Sequence, residues 1–312
     1  MSNYIVTGGA GFIGHHLVTA LLNLGHGVCI LDDLSTGKSK RIIPGAEFVE
    51  CDITGHIPSS VTEKYRDGIF HLAALPRVQF SIDNPILTNK VNLLGTLKIL
   101  EVARKWEIKK VVFASSSSVY GDQRVSSWGL NEASGDLRPM SPYALQKLTS
   151  ESYCKLYHDL YGLNVCALRF FNVYGPGMEP DDAYAQAIAL FLDQKKKNEP
   201  MTITGDGNQT RDFTHVEDVV KGLILSMELD TTDSAEVINL GAGEACSMND
   251  IANMICGPRI YIEPRIEPRH TLANNRKAKK LLGWVPSVSI KEGIEELCEL
   301  HGLHNTETFP IL

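Results

Sequence analysis

The residue types best suited to proton transfer lie between positions 111 and 147 of this sequence. The apolar run 111–114 ends in four serines, 115–118, a pattern typical of a buried parallel strand that delivers hydroxyl groups at its carboxyl end. Pro142 suits the first turn of a helix, so Tyr143 and Lys147 are predicted to lie one turn apart on the same face. A nearby ammonium group favours the phenolate form of a tyrosine, which can then act as a base near neutral pH. The alternative is a chance surface pair beside a serine-rich loop.

A second group of residues, at the amino terminus, is suited to binding a dinucleotide. Residues 4–7 form an apolar strand, Gly8, Gly11 and Gly14 follow, and residues 15–24 have the pattern of an amphipathic helix. Such a strand, glycine turn and helix let the backbone approach a pyrophosphate and direct the helix amino terminus at it. The next apolar strand, 28–31, ends at Asp32. A carboxylate there accepts hydrogen bonds from a ribose diol and repels a 2′-phosphate, which favours NAD over NADP. The alternative is a structural glycine turn with a capping aspartate.

These motifs occur together with several others in a fixed order, and the sequence resembles the extended short-chain dehydrogenase/reductase superfamily. Within it, the sequence is most similar to the nucleotide-sugar epimerase/dehydratase branch, and there to UDP-glucose and UDP-N-acetylglucosamine 4-epimerases. The resemblance covers most of the chain, through the segments 7–14, 31–37, 71–74, 92–96, 169–176, 205–212 and 282–284 together with Ser116, Tyr143 and Lys147.

The resemblance implies an active site with three groups of residues. The catalytic residues are Ser116, Tyr143 and Lys147. The residues that bind the cofactor, NAD, are Gly8, Gly11, Phe12, Ile13, Gly14, Asp32, Asp33, Asp52, Ile53, Leu72, Ala73, Ala74, Asn92, Tyr143, Lys147 and Phe170. The residues that bind a UDP-sugar are Ser81, Ser116, Ser117, Tyr143, Asn172, Arg211, Arg265 and Thr271.

Two of the implied substrate residues match family positions that contact the nucleotide diphosphate, Asn172 and Arg211. A guanidinium group offers the paired donors that a pyrophosphate needs, although Arg211 could instead form a salt bridge with Asp212 or Asp206. The sequence departs from the family between 247 and 267, where it is shorter than is usual. There the customary motif Arg-x-Gly-Asp/Glu is replaced by Arg265-Ile266-Glu267.

The serines that follow the catalytic hydroxyl indicate the reaction. In the resembling 4,6-dehydratases these two positions are Asp and Glu, whereas here they are Ser117 and Ser118. Elimination of water needs such an acid and base, so their absence argues against a dehydratase. The sequence therefore predicts a 4-epimerase of UDP-glucose and UDP-galactose that works through a 4-keto sugar. Thr271 stands where family members restricted to these hexoses carry a tyrosine, which leaves space for the acetamido group of UDP-GlcNAc or UDP-GalNAc. The alternatives are a dehydratase, a reductase, a uronate epimerase or a non-catalytic nucleotide-sensing module.

Composition excludes several other classes of protein. The 312 residues carry 30 basic and 37 acidic side chains, a net charge of -7, which does not suggest a nucleic-acid surface. The seven cysteines are scattered in apolar runs without a Cys-x-x-Cys pair, so we expect reduced core residues, no metal site and a cytoplasmic location. We also expect neither a membrane span nor a signal peptide.

Alternating short strands and helices predict an α/β fold, a doubly wound parallel-sheet Rossmann domain with a smaller carboxy-terminal α/β substrate lobe. We assign residues 1–168 to the NAD-binding domain, with 213–240 returning to it. Residues 169–212 and 241–303 form the substrate lobe, and 304–312 a tail. By the resemblance, helices near 84–106 and 143–161 pair across the two-fold axis of a homodimer.

Overall fold

The central element is a sheet of seven parallel strands in the order β10-β6-β5-β4-β1-β2-β3. A computed structural model describes residues 1–122, 129–133, 137–182, 187–264 and 267–303. The strands of this sheet are β1 Asn3–Thr7, β2 Gly27–Asp32, β3 Glu47–Glu50, β4 Gly68–His71, β5 Val111–Ser116, β6 Val165–Phe170 and β10 Glu236–Leu240. The order reverses between β1 and β4, and open α/β sheets bind ligands at that point, beyond the carboxyl ends of the strands. The predicted fold class is confirmed.

Helices cover both faces of the sheet. The helices are α1 Phe12–Asn23, α2 Ser59–Lys64, α3 Val78–Asp83, α4 Pro85–Asn89, α5 Gly95–Lys105, α6 Pro142–Tyr161, α7 Ala187–Lys196, α8 Val216–Glu228, α9 Met248–Ile255, α10 Arg276–Leu282 and α11 Ile290–Leu300. Adjacent residues of β5 belong to opposite hydrophobic clusters, with Val112 packed in the layer that holds α1 and α8 and Val111 and Phe113 packed against α5 and α6. A strand buried on both faces needs a continuous apolar sequence, which is why these strands were recognisable.

One predicted helix is a composite. The residues expected to form a single helix over 84–106 form α4, a π-helical turn at Lys90–Leu94 and then α5. Asn92 lies in this wider turn, and π turns within α-helices occur frequently at functional sites.

Two small sheets complete the fold, and both lie in the second half of the chain. One has the order β11-β9-β7 and the other pairs β12 with β8. Their strands are β7 Asn172–Tyr174, β8 Met201–Thr204, β9 Thr210–His215, β11 Ala245–Ser247 and β12 Arg259–Ile262. No helix in the described ranges is long and apolar enough to cross a membrane. The predicted tail, 304–312, lies outside the described residues.

Candidate active site

The glycine turn between β1 and α1 is built for close approach to a ligand. Gly8 has a φ of +72°, and a Cβ atom there would lie 2.7 Å from the amide nitrogen of Ala73. At Gly14 a Cβ atom would lie 2.1 Å from the carbonyl oxygen of Gly8. Only glycine fits either position, and α1 begins directly after Gly11. The first turn of α1 has backbone amide groups without helical partners, and a helix amino terminus of this kind commonly binds a phosphate.

An open cleft lies along this turn at the carboxyl edge of the sheet. Fifteen of the sixteen residues predicted to bind the cofactor line it, in six groups along the chain. They are Gly8, Gly11, Phe12, Ile13, Gly14, Asp32, Asp33, Asp52, Ile53, Leu72, Ala73, Ala74, Tyr143, Lys147 and Phe170.

Asn92 is the predicted cofactor residue that does not line the cleft. Its side chain accepts a hydrogen bond from the amide of Leu75 at 2.7 Å. It also donates to the carbonyl of Leu75 and to the side chain of Gln146 on α6. Leu75 itself lines the cleft. Asn92 therefore fixes the cleft wall to α6 from behind.

Asp32 lies at the end of β2 with its carboxylate held in place. The amides of Ala10 and Leu34 donate to its two oxygens at 3.0 Å and 2.9 Å. Burial raises the pKa of the Asp32 carboxyl, and these two hydrogen bonds act in the opposite direction. A Cβ atom at Gly37 would lie 2.5 Å from Asp32, so the following loop folds closely over this carboxylate.

The three predicted catalytic residues come together where the cleft meets α6. Ser116 ends β5, Tyr143 is in the first turn of α6 and Lys147 follows one turn later. All three are at most 5% exposed. The ammonium group of Lys147 donates to the carbonyl of Ala114 at 2.7 Å and lies 5.9 Å from the centre of the Tyr143 ring.

Burial dominates the charge state of these residues. It raises the pKa of Tyr143 to about 12, while a hydrogen bond with Ser116 acts in the opposite direction. It lowers the pKa of Lys147 to about 7, against the attraction of Cys154 and Glu151. A cation placed in the cleft would therefore favour the phenolate of Tyr143 strongly, because little water is present to screen it.

The predicted substrate residues form two groups. Ser81 lies beside the catalytic residues. Its hydroxyl accepts a hydrogen bond from the amide of Tyr143 at 3.1 Å and donates one to the carbonyl of Val78. Ser117 follows Ser116 in a 3₁₀ turn that ends at Tyr120.

The second group is held by the small sheet of β7, β9 and β11. Asn172 in β7 donates to the carbonyl of Asp212 at 3.2 Å, next to Arg211 in β9. The amide of Thr271 bonds the carbonyl of Thr210 at 3.1 Å. Thr271 is 7% exposed, and its hydroxyl has no hydrogen-bond partner among the described residues. Arg265 lies outside the described residues.

Arg211 pairs with a residue that the sequence analysis did not consider. It forms a salt bridge with Glu267 at 2.8 Å, and not with Asp212 or Asp206, the two alternatives raised above. Asp206 pairs with Arg269. The carboxylate of Asp212 accepts hydrogen bonds from the amides of Ala242, Gly243 and Ala273.

Comparison with known proteins gives the family. Residues 4–241 match the model of the NAD-dependent epimerase/dehydratase family. The chain belongs to this family. A UDP-glucose 4-epimerase of Mycolicibacterium smegmatis is 35% identical over 95% of this chain and 97% of that protein. A UDP-glucuronate 4-epimerase of Thermodesulfobacterium geofontis is 36% identical over 95% of this chain and 94% of that protein.

Solved structures of the family superpose on nearly the whole chain. A UDP-glucose 4-epimerase of Thermotoga maritima with UDP-glucose has a TM-score of 0.87 at 34% identity, covering 95% of this chain and 97% of that one. A UDP-N-acetylglucosamine 4-epimerase of Methanobrevibacter ruminantium in complex with UDP-N-acetylmuramic acid has a TM-score of 0.87 at 33% identity, covering 96% and 99%. A UDP-glucuronic acid 4-epimerase of Bacillus cereus, in complex with UDP-glucuronic acid and NAD, has a TM-score of 0.85 at 32% identity over 96% and 99%.

The cleft fits the cofactor in the family's name, and the prediction of NAD is confirmed. The glycine turn leaves room at Gly8 and Gly14 for a pyrophosphate, and Asp32 presents a carboxylate where the adenosine ribose would lie. Tyr143, Lys147 and Phe170 line the same cleft, so the nicotinamide end would lie beside the catalytic residues. In the described residues no group of acidic, histidine and cysteine side chains could hold a metal ion.

Some residues of the site were not singled out from the sequence. Arg41 and Asp182 line the cleft although they are 141 positions apart. His71 is 1% exposed and joins Thr7 to Thr96 through its two ring nitrogens, at 2.7 Å and 3.0 Å. The opposite charges around positions 38–41 and 179–182 are visible in the sequence. Their pairing requires the tertiary fold.

Proposed function

We propose that the chain is an NAD-dependent 4-epimerase that interconverts UDP-glucose and UDP-galactose through a 4-keto intermediate. The observation that carries this proposal is that Tyr143 lines the cofactor cleft and forms a hydrogen bond with Ser116. Ser116 is followed by Ser117 and Ser118 instead of acidic residues. This arrangement offers one proton acceptor to a sugar hydroxyl and no acid and base pair for elimination.

Tyr143 accepts the proton of the sugar C4 hydroxyl and later returns it. Bound NAD supplies the acceptor and donor of the C4 hydrogen and a positive ring that favours the phenolate. Ser116 passes the proton between the sugar and Tyr143, and Lys147 would hold the nicotinamide ribose when the cofactor is bound. The keto sugar turns over in the pocket and is reduced on its other face. This is feasible because the nucleotide carries the binding energy while the sugar is loosely held.

Asn172 and Arg211 are the proposed ligands of the diphosphate. Arg211 is buried beside Glu267, with which it pairs at 2.8 Å. A guanidinium group has five donors, so it can hold a carboxylate and a phosphate oxygen together. Glu267 would then orient Arg211 and keep it from folding away when no substrate is bound.

The reaction is tested by incubating purified protein with a panel of nucleotide sugars and no added cofactor. We expect NMR spectra to show conversion of UDP-glucose to UDP-galactose. A 4-keto-6-deoxy sugar would identify a dehydratase instead, and turnover that needs added NADH would identify a reductase. Conversion of UDP-glucuronate alone would favour a uronate epimerase.

The proposed substrate range includes UDP-N-acetylglucosamine and UDP-N-acetylgalactosamine. Thr271 supports this, since it is a small buried side chain whose hydroxyl has no hydrogen-bond partner in the described part of the chain. Its amide bonds the strand that holds Arg211. A larger side chain would overlap an acetamido group. Thr271→Tyr should therefore suppress kcat/KM for the N-acetylated sugars while sparing UDP-glucose. Equal effects on both substrates would show that Thr271 does not contact the sugar at C2.

A homodimer through α4 and α6 is a further part of the proposal. Exposed apolar side chains lie along these helices, with Ile86 87%, Leu145 54% and Leu156 44% exposed. Leu100 of α5 and Tyr157 of α6 lie in the core beneath them. Leu156→Glu should shift the protein to a monomer in sedimentation velocity. Leu300→Glu, on α11 and 63% exposed, should not. A wild-type monomer at micromolar concentration would reject the dimer.

A cytoplasmic location is proposed on the state of the cysteines. None of the seven, all of which lie in the described residues, forms a disulfide, and six of them are buried. Free buried thiols are typical of a reducing compartment.

A further inference from the structure

The segment 176–182 crosses from the second half of the chain to the cofactor cleft. It follows β7, which belongs to the small sheet, and it reaches the loop after β2 and the helix after β1. A ring nitrogen of His16 on α1 bonds the carbonyl of Pro176 at 2.8 Å. Arg41 donates to the carbonyl of Gly177 at 2.6 Å. The segment is thus fixed at its start to the elements that build the cleft.

Charge complementarity fixes the rest of the segment. Lys38 pairs with Glu179 at 2.9 Å and with Asp181 at 2.7 Å, and Lys40 pairs with Glu179 at 2.7 Å. Arg77, in the loop after β4, donates to the carbonyls of Asp181 and Asp182. Basic groups from two loops of the central sheet therefore meet one acidic segment.

The central pair of this cluster is buried and forms part of the cleft wall. Both nitrogens of the Arg41 fork donate to the carboxylate of Asp182, at 2.8 Å and 2.7 Å. Arg41 is 6% exposed and Asp182 3%, and both line the cleft together with Asp33 and Ser35. A bidentate buried pair is geometrically specific, and removing one partner leaves an uncompensated charge.

We infer that the Arg41–Asp182 pair is a clasp that retains the dinucleotide in the cleft. The pair joins the loop after β2 to the segment 176–182 across the edge of the cofactor site. Release of the cofactor then requires the two elements to separate, which breaks a buried ion pair and its flanking surface pairs.

This retention role rests on the proposed function, because only an epimerase needs to keep its cofactor bound in this way. A 4-epimerase must keep reduced cofactor bound between its two half-reactions, because release of the NADH would leave the keto sugar without a hydride donor. Retention by protein contacts that do not touch the reacting atoms leaves the sugar free to turn over.

The test measures release of cofactor, so it does not depend on the sugar reaction. Protein loaded with NADH is mixed with a large excess of NAD, and the decay of bound NADH fluorescence gives the dissociation rate. We expect Arg41→Met and Asp182→Asn each to speed release by about tenfold or more, equivalent to about 1.4 kcal/mol. Slow release by the wild type with no epimerisation would reject the proposed function alone.

The matched control is Asp67→Asn, the same change at another ion pair. Asp67 pairs with Lys109 at 2.6 Å just before β4 and β5, at the amino edge of the sheet and away from the cleft. The Asp67→Asn variant should release NADH at the same rate as the wild type. Wild-type rates in folded Arg41→Met and Asp182→Asn would overturn the clasp. Should both variants fail to fold, Lys38→Met decides, since this side chain is 20% exposed. Faster release supports the clasp, and an unchanged rate rejects it.

Discussion

At the scale of single residues, burial favours the neutral forms of both Tyr143 and Lys147. The same burial strengthens the effect of any nearby charge on them. The pKa of Tyr143 is raised to about 12 and that of Lys147 lowered to about 7. The sequence identified both residues from their spacing, yet it predicted only that the lysine would favour the phenolate. The desolvation of the pair depends on β5, α6 and the glycine turn, which no local pattern describes.

Replacing Tyr143 tests its role as the proton acceptor. Tyr143→Phe keeps the ring in its buried site and removes the hydroxyl, so kcat should fall by about 10²-fold or more while NAD binding is kept. Epimerisation assays and NADH fluorescence titrations measure the two effects. Ser116→Ala should be milder. Near-normal turnover in Tyr143→Phe would refute the assignment.

His71 predicts a pH dependence of stability. Burial lowers its pKa to about 3 from an ordinary value of 6.5, with Lys147 contributing. Above pH 6.5 the ring is neutral in both the folded and the unfolded chain and adds no pH dependence. As the pH falls below 6.5 the unfolded chain binds a proton that the folded chain does not, so the free energy of unfolding decreases. The contribution of His71 is about 2 kcal/mol between pH 7 and pH 5.

Denaturant unfolding of the wild type and His71→Gln at pH 7 and pH 5 measures this term. The variant loses stability at both pH values through its bonds to Thr7 and Thr96, but its further loss between them should be smaller by about 2 kcal/mol. Parallel pH profiles would show that His71 does not take up a proton on unfolding in this range.

At the scale of secondary structure, elements buried on both faces were predictable and polar edge elements were not. The strands of the central sheet follow apolar runs such as 111–114, and a continuous apolar run has few other stable positions. β9 contains Thr210, Arg211 and Asp212, and β7 and β11 have three residues each. Strands this short and polar are stabilised by long-range pairing. Arg211 is therefore recognisable in the sequence, but the strand that holds it is not.

A buried ion pair joins α6 to β6 and β5. Glu151 accepts two hydrogen bonds from Arg169 at 2.9 Å and 2.7 Å and one from Ser115. Both charged residues are at most 6% exposed. Glu151→Leu leaves the guanidinium without its partner and should lower the free energy of unfolding by about 3 to 5 kcal/mol.

Urea unfolding at equilibrium measures this loss. A suitable control is Asp193→Asn, which removes an exposed pair between α7 and Lys197, the residue that follows the helix, and should change stability by about 0.5 kcal/mol or less. Adding Arg169→Met to Glu151→Leu should recover part of the loss, because it removes the unpaired charge. A loss as small as that of the control would show that the pair does not fasten α6.

At the scale of the whole molecule, the sequence predicted the cofactor site more completely than the substrate site. Fifteen predicted cofactor residues line one cleft because they follow the strands of a single sheet, whose order is fixed by chain connectivity. The substrate residues depend on contacts between distant segments, such as Arg211 with Glu267. Arg41 and Asp182 show the same limit, since a pair 141 positions apart leaves no periodic signal.

The central claim is that one molecule of bound NAD removes hydrogen from C4 of the sugar and returns it to the same carbon. It is tested most directly with UDP-glucose deuterated at C4, incubated with the purified protein and no added cofactor, and followed by NMR. We expect UDP-galactose that retains deuterium at C4. Transfer of the label to C6, its loss to solvent, or the absence of UDP-galactose would contradict it.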